Sequence, residues 1–431
     1  MPGDARPNHE GRGPYDSTLM PEHPTPSDLG TQPLPPFPTD VVVVGGCGHV
    51  GLPLGIAFAS AGLTVSLFDT NPLTVATVST GTMPFHEPGA AEALRPLVES
   101  GALRATTDPA AVAEAAHVIV VIGTPVDGHL NPDPRAVPSA IEALIPHLRD
   151  GQHLVLRSTV FPGVTATVER LVARTGLDIE VSFCPERIAE GKALVELSEL
   201  PQLVSARTET SLDRAETLFR HLTHDVVRLE PEEAELAKLF TNTWRYIKFA
   251  AANQLFMIAN EHGLDFERIR AAVVHDYPRA ADMPGAGFAA GPCLLKDTMQ
   301  LAAFNNNNFT LGHASMMVNE GLPLYLVDRI EQRFPLQDLT VGVLGMAFKG
   351  GSDDIRSSLS YKLRRLLRFK AADVLCTDPY VTLDPDLLPL DEVLARADLL
   401  IIGAPHPEYR ALTTELPVID VWNLGGEGVR I

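Results

Sequence analysis

The architecture of this 431-residue chain can be inferred from one segment, Val41-Val42-Val43-Val44-Gly45-Gly46-Cys47-Gly48-His49-Val50-Gly51. Four successive valines are typical of a buried parallel strand. Three glycines in the order G-x-G-x-x-G follow at once, and residues 52–61 have helical character. A second apolar segment, residues 64–68, ends at Asp69. This order of strand, glycine turn, helix and strand predicts a dinucleotide-binding α/β domain.

The three glycines of this turn have different physical roles. The first permits the tight turn, the second lets a pyrophosphate approach the backbone, and the third lets helix and strand pack closely. The helix N-terminus then faces the phosphates. Asp69 would accept hydrogen bonds from ribose hydroxyls and repel a 2′-phosphate, which favours NAD over NADP. A glycine-rich turn in some other α/β protein is the alternative. The predicted cofactor contacts in this segment are Gly46, Gly48, His49, Val50, Gly51 and Asp69.

Two further predicted strands lead into short hydroxylated turns. Residues 117–122 precede Gly123-Thr124-Pro125, and residues 153–156 precede Ser158-Thr159-Val160. Both turns lie at the carboxyl ends of strands, where open α/β sheets bind ligands. Taken alone, either segment could be an ordinary turn.

Two glutamates lie in the loop after the next predicted strand, within Cys184-Pro185-Glu186-Arg187-Ile188-Ala189-Glu190-Gly191. Glutamates four residues apart beside a strand end could supply a general base and a cofactor contact. A solvated surface pair is the more common arrangement of such residues.

One long helix is predicted from Pro231 to Gly263, with acidic residues in its first turn and a glycine near its end. Its apolar residues lie nearly all round, which places it at the centre of a domain or against a partner subunit. Lys238 and Asn242 are four residues apart and share one face. A buried lysine there is costly unless it meets an anion or an oxyanion, whereas a lysine that reaches the surface costs nothing.

A cysteine occupies the predicted start of another helix, in Gly291-Pro292-Cys293-Leu294-Leu295-Lys296-Asp297. The unpaired N–H groups and the dipole of a helix N-terminus favour thiolate over thiol. Lys296 adds a cation, and Asp297 lies one turn on, where it can orient the thiol or a water molecule. Cys293 is therefore a candidate nucleophile, and a buried small hydrophobic residue is the alternative.

The last hundred residues predict a second, smaller α/β unit. Residues 339–345 form a strand that ends in glycine, a helix follows near 358–369, and strands are predicted at 373–377 and 399–403. Lys349 and Arg356 lie at the carboxyl edge of the first of these strands. They could bind phosphate, although basic loop residues are often only solvated.

Composition excludes several classes of protein. The formal net charge of −20 argues against nucleic-acid or anionic-membrane partners. Four widely spread cysteines predict a reducing cytoplasm, with no zinc or other metal and no disulfide framework. The sequence contains no apolar span of 18 residues, so no membrane crossing is predicted. Residues 1–38 are rich in proline and glycine and are predicted to be a disordered tail.

In this order, from about Asp40 to Val421, these motifs resemble the UDP-glucose/GDP-mannose dehydrogenase family of nucleotide-sugar 6-dehydrogenases. The resemblance implies an α/β protein with an N-terminal NAD-binding Rossmann domain, a helical middle domain built on the long helix and a Rossmann-like C-terminal domain that binds the UDP-sugar. The domain limits implied are 39–208, 209–325 and 326–431. It also implies a homodimer formed through the middle domain.

The family chemistry implied is a four-electron oxidation of a sugar C6 alcohol to a carboxylate by two NAD. Cys293 matches the nucleophile that carries the thiohemiacetal and the thioester. Lys238 matches the residue that assists alcohol deprotonation and stabilises the oxyanion, with Asn242 beside it. Glu186 matches the proposed hydrolysis base. Thr124 and Asp297 match residues that position water.

Further contacts come only from the resemblance. Cofactor contacts implied are Thr124, Thr159, Glu190, Lys296 and Arg356. Substrate contacts implied are Glu186, Arg187, Ile188, Lys238, Asn242, Phe288, Gly291, Phe348, Lys349 and, from a neighbouring subunit, Arg279.

The cysteine loop departs from the family pattern, because Pro292 stands where many members have serine and Phe288 is one place further from the cysteine. The hexose therefore stays open between glucose, N-acetylmannosamine and N-acetylglucosamine. Two alternatives stay open as well. One is a two-electron dehydrogenase of 2-hydroxyacids or sugar acids with Lys238 as base, and the other is a catalytically silent nucleotide-binding regulator.

Overall fold

The computed structural model describes residues 37–124, 126–127, 132–429 and 431. The predicted tail therefore lies almost entirely outside the described residues, as does Pro125 of the turn after the third predicted strand. None of the helices in the described part of the chain combines the length and apolarity needed to cross a membrane.

An eight-stranded sheet forms the N-terminal part of the described chain. Its strands are β1 (Thr39–Val44), β2 (Val65–Phe68), β3 (Leu103–Thr106), β4 (Ala115–Val120), β5 (His153–Leu156), β6 (Glu180–Phe183), β7 (Gln202–Ala206) and β8 (Val226–Leu229). Their order is β3-β2-β1-β4-β5-β6-β7-β8. Neighbouring strands in this sheet are parallel except β6 and β7, which run antiparallel. The predicted valine strand is therefore central and buried.

Helices pack on both faces of this sheet. They are α1 (Gly51–Ser60), α2 (Pro72–Ser79), α3 (Ala90–Ser100), α4 (Ala136–Leu144), α5 (Val164–Ala173), α6 (Ala193–Glu199) and α7 (Glu209–Phe219). Val41 and Val43 of β1 belong to one apolar core, with α1, α3, α6 and α7. Val42 and Val44 belong to the core on the other face, with α4 and α5. Successive valines point to opposite faces, so the uninterrupted run reflects a strand that is covered on both sides.

The sheet continues to Leu229, beyond residue 208, where the sequence ends the first domain. β8 is an edge strand whose four residues are at least partly exposed, because only β7 pairs with it. Such a short strand has no apolar run that the sequence could reveal.

The middle of the chain is helical, as the sequence predicts. α8 (Pro231–Glu261) begins with a capping box between Glu230 and Glu233, and it ends two residues short of the predicted stop. α9 (Phe266–Val274), α10 (Leu294–Phe304) and α11 (Thr310–Glu331) follow, and α10 and α11 pack against α8.

The C-terminal part holds a second parallel sheet. Its strands are β9 (Thr340–Leu344), β10 (Asp373–Thr377), β11 (Leu399–Ile402) and β12 (Val418–Ile419), in the order β10-β9-β11-β12. α12 (Leu359–Leu367) and α13 (Leu390–Arg396) pack on it. One apolar core joins this sheet to α8 and α11, so the middle and last parts of the chain share buried surface. The three-part α/β architecture is confirmed.

A buried pair of histidines lies within the first sheet. His117 of β4 and His153 of β5 are directly opposite each other, and their Nδ1 atoms are 3.0 Å apart. His153 Nε2 lies 2.8 Å from the Ser182 hydroxyl. Burial lowers the pKa of both imidazoles, that of His117 to about 3, and the Arg214 cation acts in the same direction. Both rings are therefore neutral in the folded protein at neutral pH.

This pair predicts a loss of stability in acid. The unfolded chain takes up protons on both imidazoles below their ordinary pKa near 6.5, while the folded chain does not. The free energy of unfolding should be unaffected by the pair above that pH and fall below it by about 1.4 kcal/mol per pH unit for each histidine. Urea unfolding between about pH 7 and pH 5 measures the slope. His117→Gln should have a shallower slope than the wild type, and the exposed His275→Gln should not. Equal slopes in all three proteins would contradict the assignment.

Candidate active site

The site is built where α8 and α10 approach each other. Lys238 and Asn242 are buried on α8, one turn apart. Cys293 is the residue before α10, and its carbonyl accepts the Asp297 N–H at 2.9 Å. Asn242 Nδ2 donates to Asp297 Oδ2 at 2.5 Å. The structure thus brings the predicted nucleophile, lysine, amide and aspartate together.

Asp297 has a free acceptor in this arrangement. Its side chain is fully buried, and no donor hydrogen-bonds to Oδ1 among the described residues. Lys296 Nζ lies 3.1 Å from Oδ1 but outside hydrogen-bond geometry. A buried carboxylate oxygen without a donor is costly, so this atom is suited to accept from a bound water or ligand.

Lys296 connects α10 to the first sheet. Its ammonium donates to the Thr124 hydroxyl at 3.0 Å. Thr124 follows β4, at the carboxyl end of the strand, which is the edge where open sheets bind ligands. The bond ties the Thr124 hydroxyl to Lys296 in the first turn of α10, the helix that Cys293 precedes.

The electrostatic surroundings of Cys293 differ from the expectation. Cys293 is accessible to solvent, yet it is set among enough protein atoms for burial to raise the pKa of its thiol, and the Asp297 carboxylate raises it further. Lys238 and Lys296 act in the opposite direction but do not outweigh these effects. The prediction that the helix start and Lys296 favour the thiolate was wrong for the free protein, because it left out the burial of the thiol and, after that, the Asp297 carboxylate.

The pKa of Lys238 is lowered, in contrast to the raised pKa of Cys293. Burial lowers the pKa of its ammonium, while Asp297 and, to a smaller extent, Cys293 and Glu186 oppose this shift when they are ionised. None of the described residues hydrogen-bonds to its side chain. A lysine whose pKa is lowered can act as a proton acceptor closer to neutral pH.

Glu186 is held by a cation that the sequence did not single out. Arg157, fully buried at the end of β5, donates from Nε to Glu186 Oε2 at 2.8 Å and from its terminal nitrogen to the same oxygen. The N–H groups of Arg187 and Ile188 donate to Oε1 at 2.6 and 3.0 Å. A carboxylate offers about four acceptor positions, and all of them are therefore occupied.

Breaking this buried pair should be costly. Glu186→Gln leaves the Arg157 guanidinium buried without its counter-charge, so the free energy of unfolding should fall by about 3 kcal/mol. Urea denaturation measures it. Glu114→Gln is the matched control, because the Glu114–Arg104 pair is about half exposed and should cost no more than about 0.5 kcal/mol. Equal losses in the two variants would show that the Arg157 contact carries no stability.

The glycine turn has the shape that a dinucleotide needs. A Cβ at Gly46 would lie 2.6 Å from the Val43 carbonyl oxygen, and one at Gly51 would lie 2.4 Å from that of Gly45. At Gly48 nothing is closer than 3.8 Å, which leaves this backbone open to a ligand. These residues fit the pyrophosphate of NAD.

Asp69 stands beside the turn, as predicted for a ribose contact. Its Oδ2 accepts the Cys47 N–H at 3.1 Å and its Oδ1 accepts the Asn71 N–H at 3.0 Å. Val50 precedes α1, and the His49 ring stacks on Phe85 with centroids 4.1 Å apart.

Glu190 and Arg356 meet across the first and last parts of the chain. Arg356 donates to Glu190 Oε1 at 3.1 Å and to Asp354 Oδ2 at 2.6 Å. Burial and the neighbouring Asp354 raise the pKa of Glu190 to about 7. The Lys349 ammonium hydrogen-bonds to the Glu190 carbonyl oxygen. Both predicted cofactor contacts therefore lie in one cluster.

Phe348 lies against the nucleophile loop. A Cβ at Gly291 would be 2.6 Å from the Phe348 ring, and Gly291 has a φ of +103°. Only glycine satisfies both conditions. The predicted substrate contacts Gly291 and Phe348 are therefore packed directly on each other, and Gly291 is two residues before Cys293.

Other predicted contacts lie apart from this cluster. Phe288 is buried against Trp422, with ring centroids 6.0 Å apart. Arg279 is exposed, with its guanidinium 5.0 Å from the Tyr277 ring centroid. The Arg187 side chain bonds to the Pro201 carbonyl oxygen. Thr159 and Ile188 are half-buried.

Asn253 is a positioning residue that the sequence did not reveal. This buried α8 side chain accepts the Gly287 N–H at 2.9 Å and donates to the Gly287 carbonyl at 3.0 Å. It also donates to Asn319 of α11 at 3.0 Å. The loop that leads to Cys293 is thus anchored to two helices. An asparagine within the mostly apolar stretch 249–258 of this helix was the available signal.

The glycine turn, the long helix and the second parallel sheet define a class, the NAD-dependent dehydrogenases built from two nucleotide-binding domains. The match to family models is more specific. The NAD-binding, central and UDP-binding domains of the UDP-glucose/GDP-mannose dehydrogenase family match residues 40–223, 232–320 and 342–425. The chain belongs to this family of NAD-dependent nucleotide-sugar dehydrogenases, and the resemblance drawn from the motifs is confirmed.

Known proteins with similar sequences and folds support the assignment. A UDP-N-acetyl-D-mannosamine dehydrogenase from Pyrococcus horikoshii is 30% identical over 387 residues, which is 87% of this chain and 91% of the relative. The solved UDP-glucose dehydrogenase of Pyrobaculum islandicum superposes with a TM-score of 0.82 at 30% identity, covering 91% of this chain and 96% of that one. An NDP-N-acetyl-D-galactosaminuronic acid dehydrogenase from Ralstonia nicotianae is 28% identical, covering 87% and 92%.

Proposed function

We propose that the protein oxidises the C6 alcohol of a UDP-linked N-acetylhexosamine, with N-acetylmannosamine first among the candidates, to the uronate. The observation that carries this proposal is the grouping of an accessible thiol with Lys238, Asn242 and Asp297 at the start of α10. The Pyrococcus relative is a UDP-N-acetyl-D-mannosamine dehydrogenase, which supports the choice of sugar. A two-electron dehydrogenase would leave Cys293 without a role.

The first oxidation depends on Lys238. As a buried amine with a lowered pKa, it accepts the proton of the C6 hydroxyl. Asn242 has a second N–H to donate to the same oxygen, since one is engaged by Asp297. Bound NAD supplies the hydride acceptor for this oxidation and for the next. The sugar carbon leaves this stage as an aldehyde.

The second oxidation depends on Cys293. Its sulfur, after giving up its proton, forms a C–S bond to the aldehyde carbon, and loss of a second hydride converts the hemithioacetal into a thioester. Water then adds to the thioester carbonyl, the C–S bond breaks, and the carboxylate leaves. In the overall reaction, one alcohol, two NAD and one water are converted to one carboxylate, two NADH and three protons.

We assign the proton acceptor for this water to Asp297 rather than to Glu186. The four acceptor positions of Glu186 are filled by Arg157 and two backbone N–H groups, whereas Asp297 Oδ1 has none filled. The Thr124 hydroxyl, fixed by Lys296, is placed to orient the water. Glu186 then serves as a fixed anion near Lys238.

Cofactor and substrate occupy opposite sides of this centre in the proposal. NAD binds along the glycine turn, with Asp69 on its ribose and the Glu190–Arg356 pair as a further contact. The UDP-sugar binds to the C-terminal domain, with Phe348 and Lys349 as contacts. The domains run from 39 to about 229, then to about 325, and then to 431.

The protein is further proposed to be a cytoplasmic homodimer. Large apolar side chains are exposed on one face of α8, namely Phe240, Trp244, Leu255 and Ile258. A contiguous exposed apolar face is typical of an interface, and Arg279 is free to reach a second copy. Sedimentation velocity and cell fractionation test the two statements, and a monomer or a membrane-bound protein would refute them.

Product stoichiometry tests the proposed reaction. UDP-N-acetylmannosamine, UDP-N-acetylglucosamine, UDP-glucose and GDP-mannose are each incubated in limiting amount with excess NAD, and NADH absorbance is recorded to completion. We expect about two NADH per sugar for the preferred substrate, because one thiol retains the aldehyde between the two oxidations. One NADH with free aldehyde would refute the four-electron reaction. No NADH from any sugar would favour a silent nucleotide-binding regulator.

A further inference from the structure

The C-terminal domain contains a buried Asp–His pair that belongs neither to the family motifs nor to the site around Cys293. Asp378 follows β10 and His406 follows β11, and both side chains are fully buried. His406 Nε2 lies 3.0 Å from Asp378 Oδ2. Both residues lie at the carboxyl edge of the second sheet, beside the segment 346–356. We call this segment the substrate loop because it carries the proposed substrate contacts Phe348 and Lys349; it ends at Arg356.

Asp378 holds the beginning of the substrate loop. The N–H groups of Met346 and Ala347 donate to its Oδ2 at 2.7 and 2.9 Å. Those of Tyr380 and Val381 donate to its Oδ1 at 2.9 and 3.0 Å. Burial alone would raise the pKa of Asp378, but the donors, His406 first among them, lower it. Asp378 is therefore a fixed anion.

His406 holds the middle of the same loop. Its Nδ1 accepts the Gly351 N–H at 3.1 Å. Since Nδ1 accepts, Nε2 carries the proton and donates to Asp378, which fixes the tautomer. The rings of Tyr380 and Tyr409 lie on the imidazole, with centroids 5.1 and 5.7 Å away, and prevent it from turning.

The loop is pressed onto this pair and onto the nucleophile loop. A Cβ at Gly350 would lie 2.2 Å from the Pro405 carbonyl oxygen, so the backbone before Gly351 touches the residue before His406. Near its beginning the loop places the Phe348 ring on Gly291. A continuous path of contacts therefore leads from His406 to the loop of Cys293.

We propose that His406, oriented by Asp378, is the positioning residue that sets the substrate loop for the nucleotide part of the substrate. The Gly351 bond is the decisive contact, because it fixes the backbone two residues beyond Lys349. This inference rests on the proposed function, since it concerns the loop to which UDP-sugar binding is assigned.

Two substitutions separate the two hydrogen bonds of His406. His406→Asn places an amide near the Nδ1 position, which keeps an acceptor for Gly351 and loses the donor to Asp378. His406→Gln places its amide near Nε2, which keeps the donor and loses the acceptor. UDP and NAD affinities are measured by calorimetry on the full-length protein, with melting temperatures and the KM for the UDP-sugar recorded alongside.

We expect His406→Gln to weaken UDP binding about tenfold, the effect of one lost hydrogen bond. His406→Asn should stay within about threefold of the wild type. NAD affinity should fall less than UDP affinity in His406→Gln, because Arg356, at the end of the loop, is held by Asp354 and Glu190. Gly350→Ala pushes the same loop away from Pro405 while the Asp378 and His406 side chains stay unsubstituted, and it should also weaken UDP binding. This variant provides a second test if His406→Gln does not fold.

Three results would overturn the inference: unchanged UDP affinity in His406→Gln, unchanged affinity in Gly350→Ala, or an equal loss in the Gln and Asn variants. The last would mean that His406 only stabilises the domain. A wild-type protein that fails to bind UDP would refute the proposed nucleotide and, with it, this inference.

Discussion

Cys293→Ser should abolish uronate formation while leaving NAD binding intact. A serine hydroxyl is a far weaker nucleophile and forms no thioester, so the rate of the complete oxidation should fall by about 10³-fold or more, roughly 4 kcal/mol. The pKa of the Cys293 thiol is raised in the free protein, so the thiol is activated only once its proton is removed. NADH formation and mass spectrometry of the sugar product measure the loss.

A matched control is available for this substitution. Cys376 is buried in the second sheet, its thiol pKa is raised to about 11, and the mechanism assigns it no role. Cys376→Ser should keep its turnover. Mass spectrometry of the wild-type protein stopped during turnover should show the sugar attached at Cys293. Wild-type turnover in Cys293→Ser would remove this residue from the mechanism.

Lys238→Met should lower kcat by about 10²- to 10⁴-fold, the range expected when a general base is lost. The wild-type kcat should fall as the pH is lowered, because the amine becomes protonated. Since burial lowers the pKa of Lys238, this fall should begin below the pH at which a free lysine takes up its proton. The pH profile of kcat should become flat on this side in the variant.

Two comparisons make the lysine result specific. Lys238→Arg keeps the positive charge but has no accessible neutral form, so it should be nearly as slow as Lys238→Met. Lys370→Met removes an exposed lysine that pairs with Glu331 and should leave both kcat and its pH profile unchanged. A Lys238→Arg protein with the wild-type rate would show that the residue acts through its charge and not as a base.

The features that were predictable from sequence are those set by local pattern. The valine strand, the glycine turn and the start of α10 are each encoded by consecutive residues, and the structure has them where the sequence placed them. The length of α8 followed from its first-turn acids and the glycine at its end.

The features that were missed depend on partners distant in sequence. The role of Arg157 depends on its contact with Glu186, 29 residues away, and the role of Asn253 depends on its contact with Gly287, 34 residues away. The direction in which the pKa of Cys293 is shifted was missed for the same reason. A helix start is local, whereas the burial of the Cys293 thiol and of the Asp297 carboxylate results from the packing of segments distant in sequence, such as α8 and α10.

The contact between Gly291 and Phe348 limits how substrate preference in this enzyme can be redesigned. Position 291 has to stay without a side chain, since any substituent would both strain the backbone and push the aromatic ring out of place. Variation that resizes the proposed sugar pocket is therefore confined to Pro292, to the Phe348 ring, or to residues contributed from elsewhere. Libraries that randomise this loop should spare the glycine.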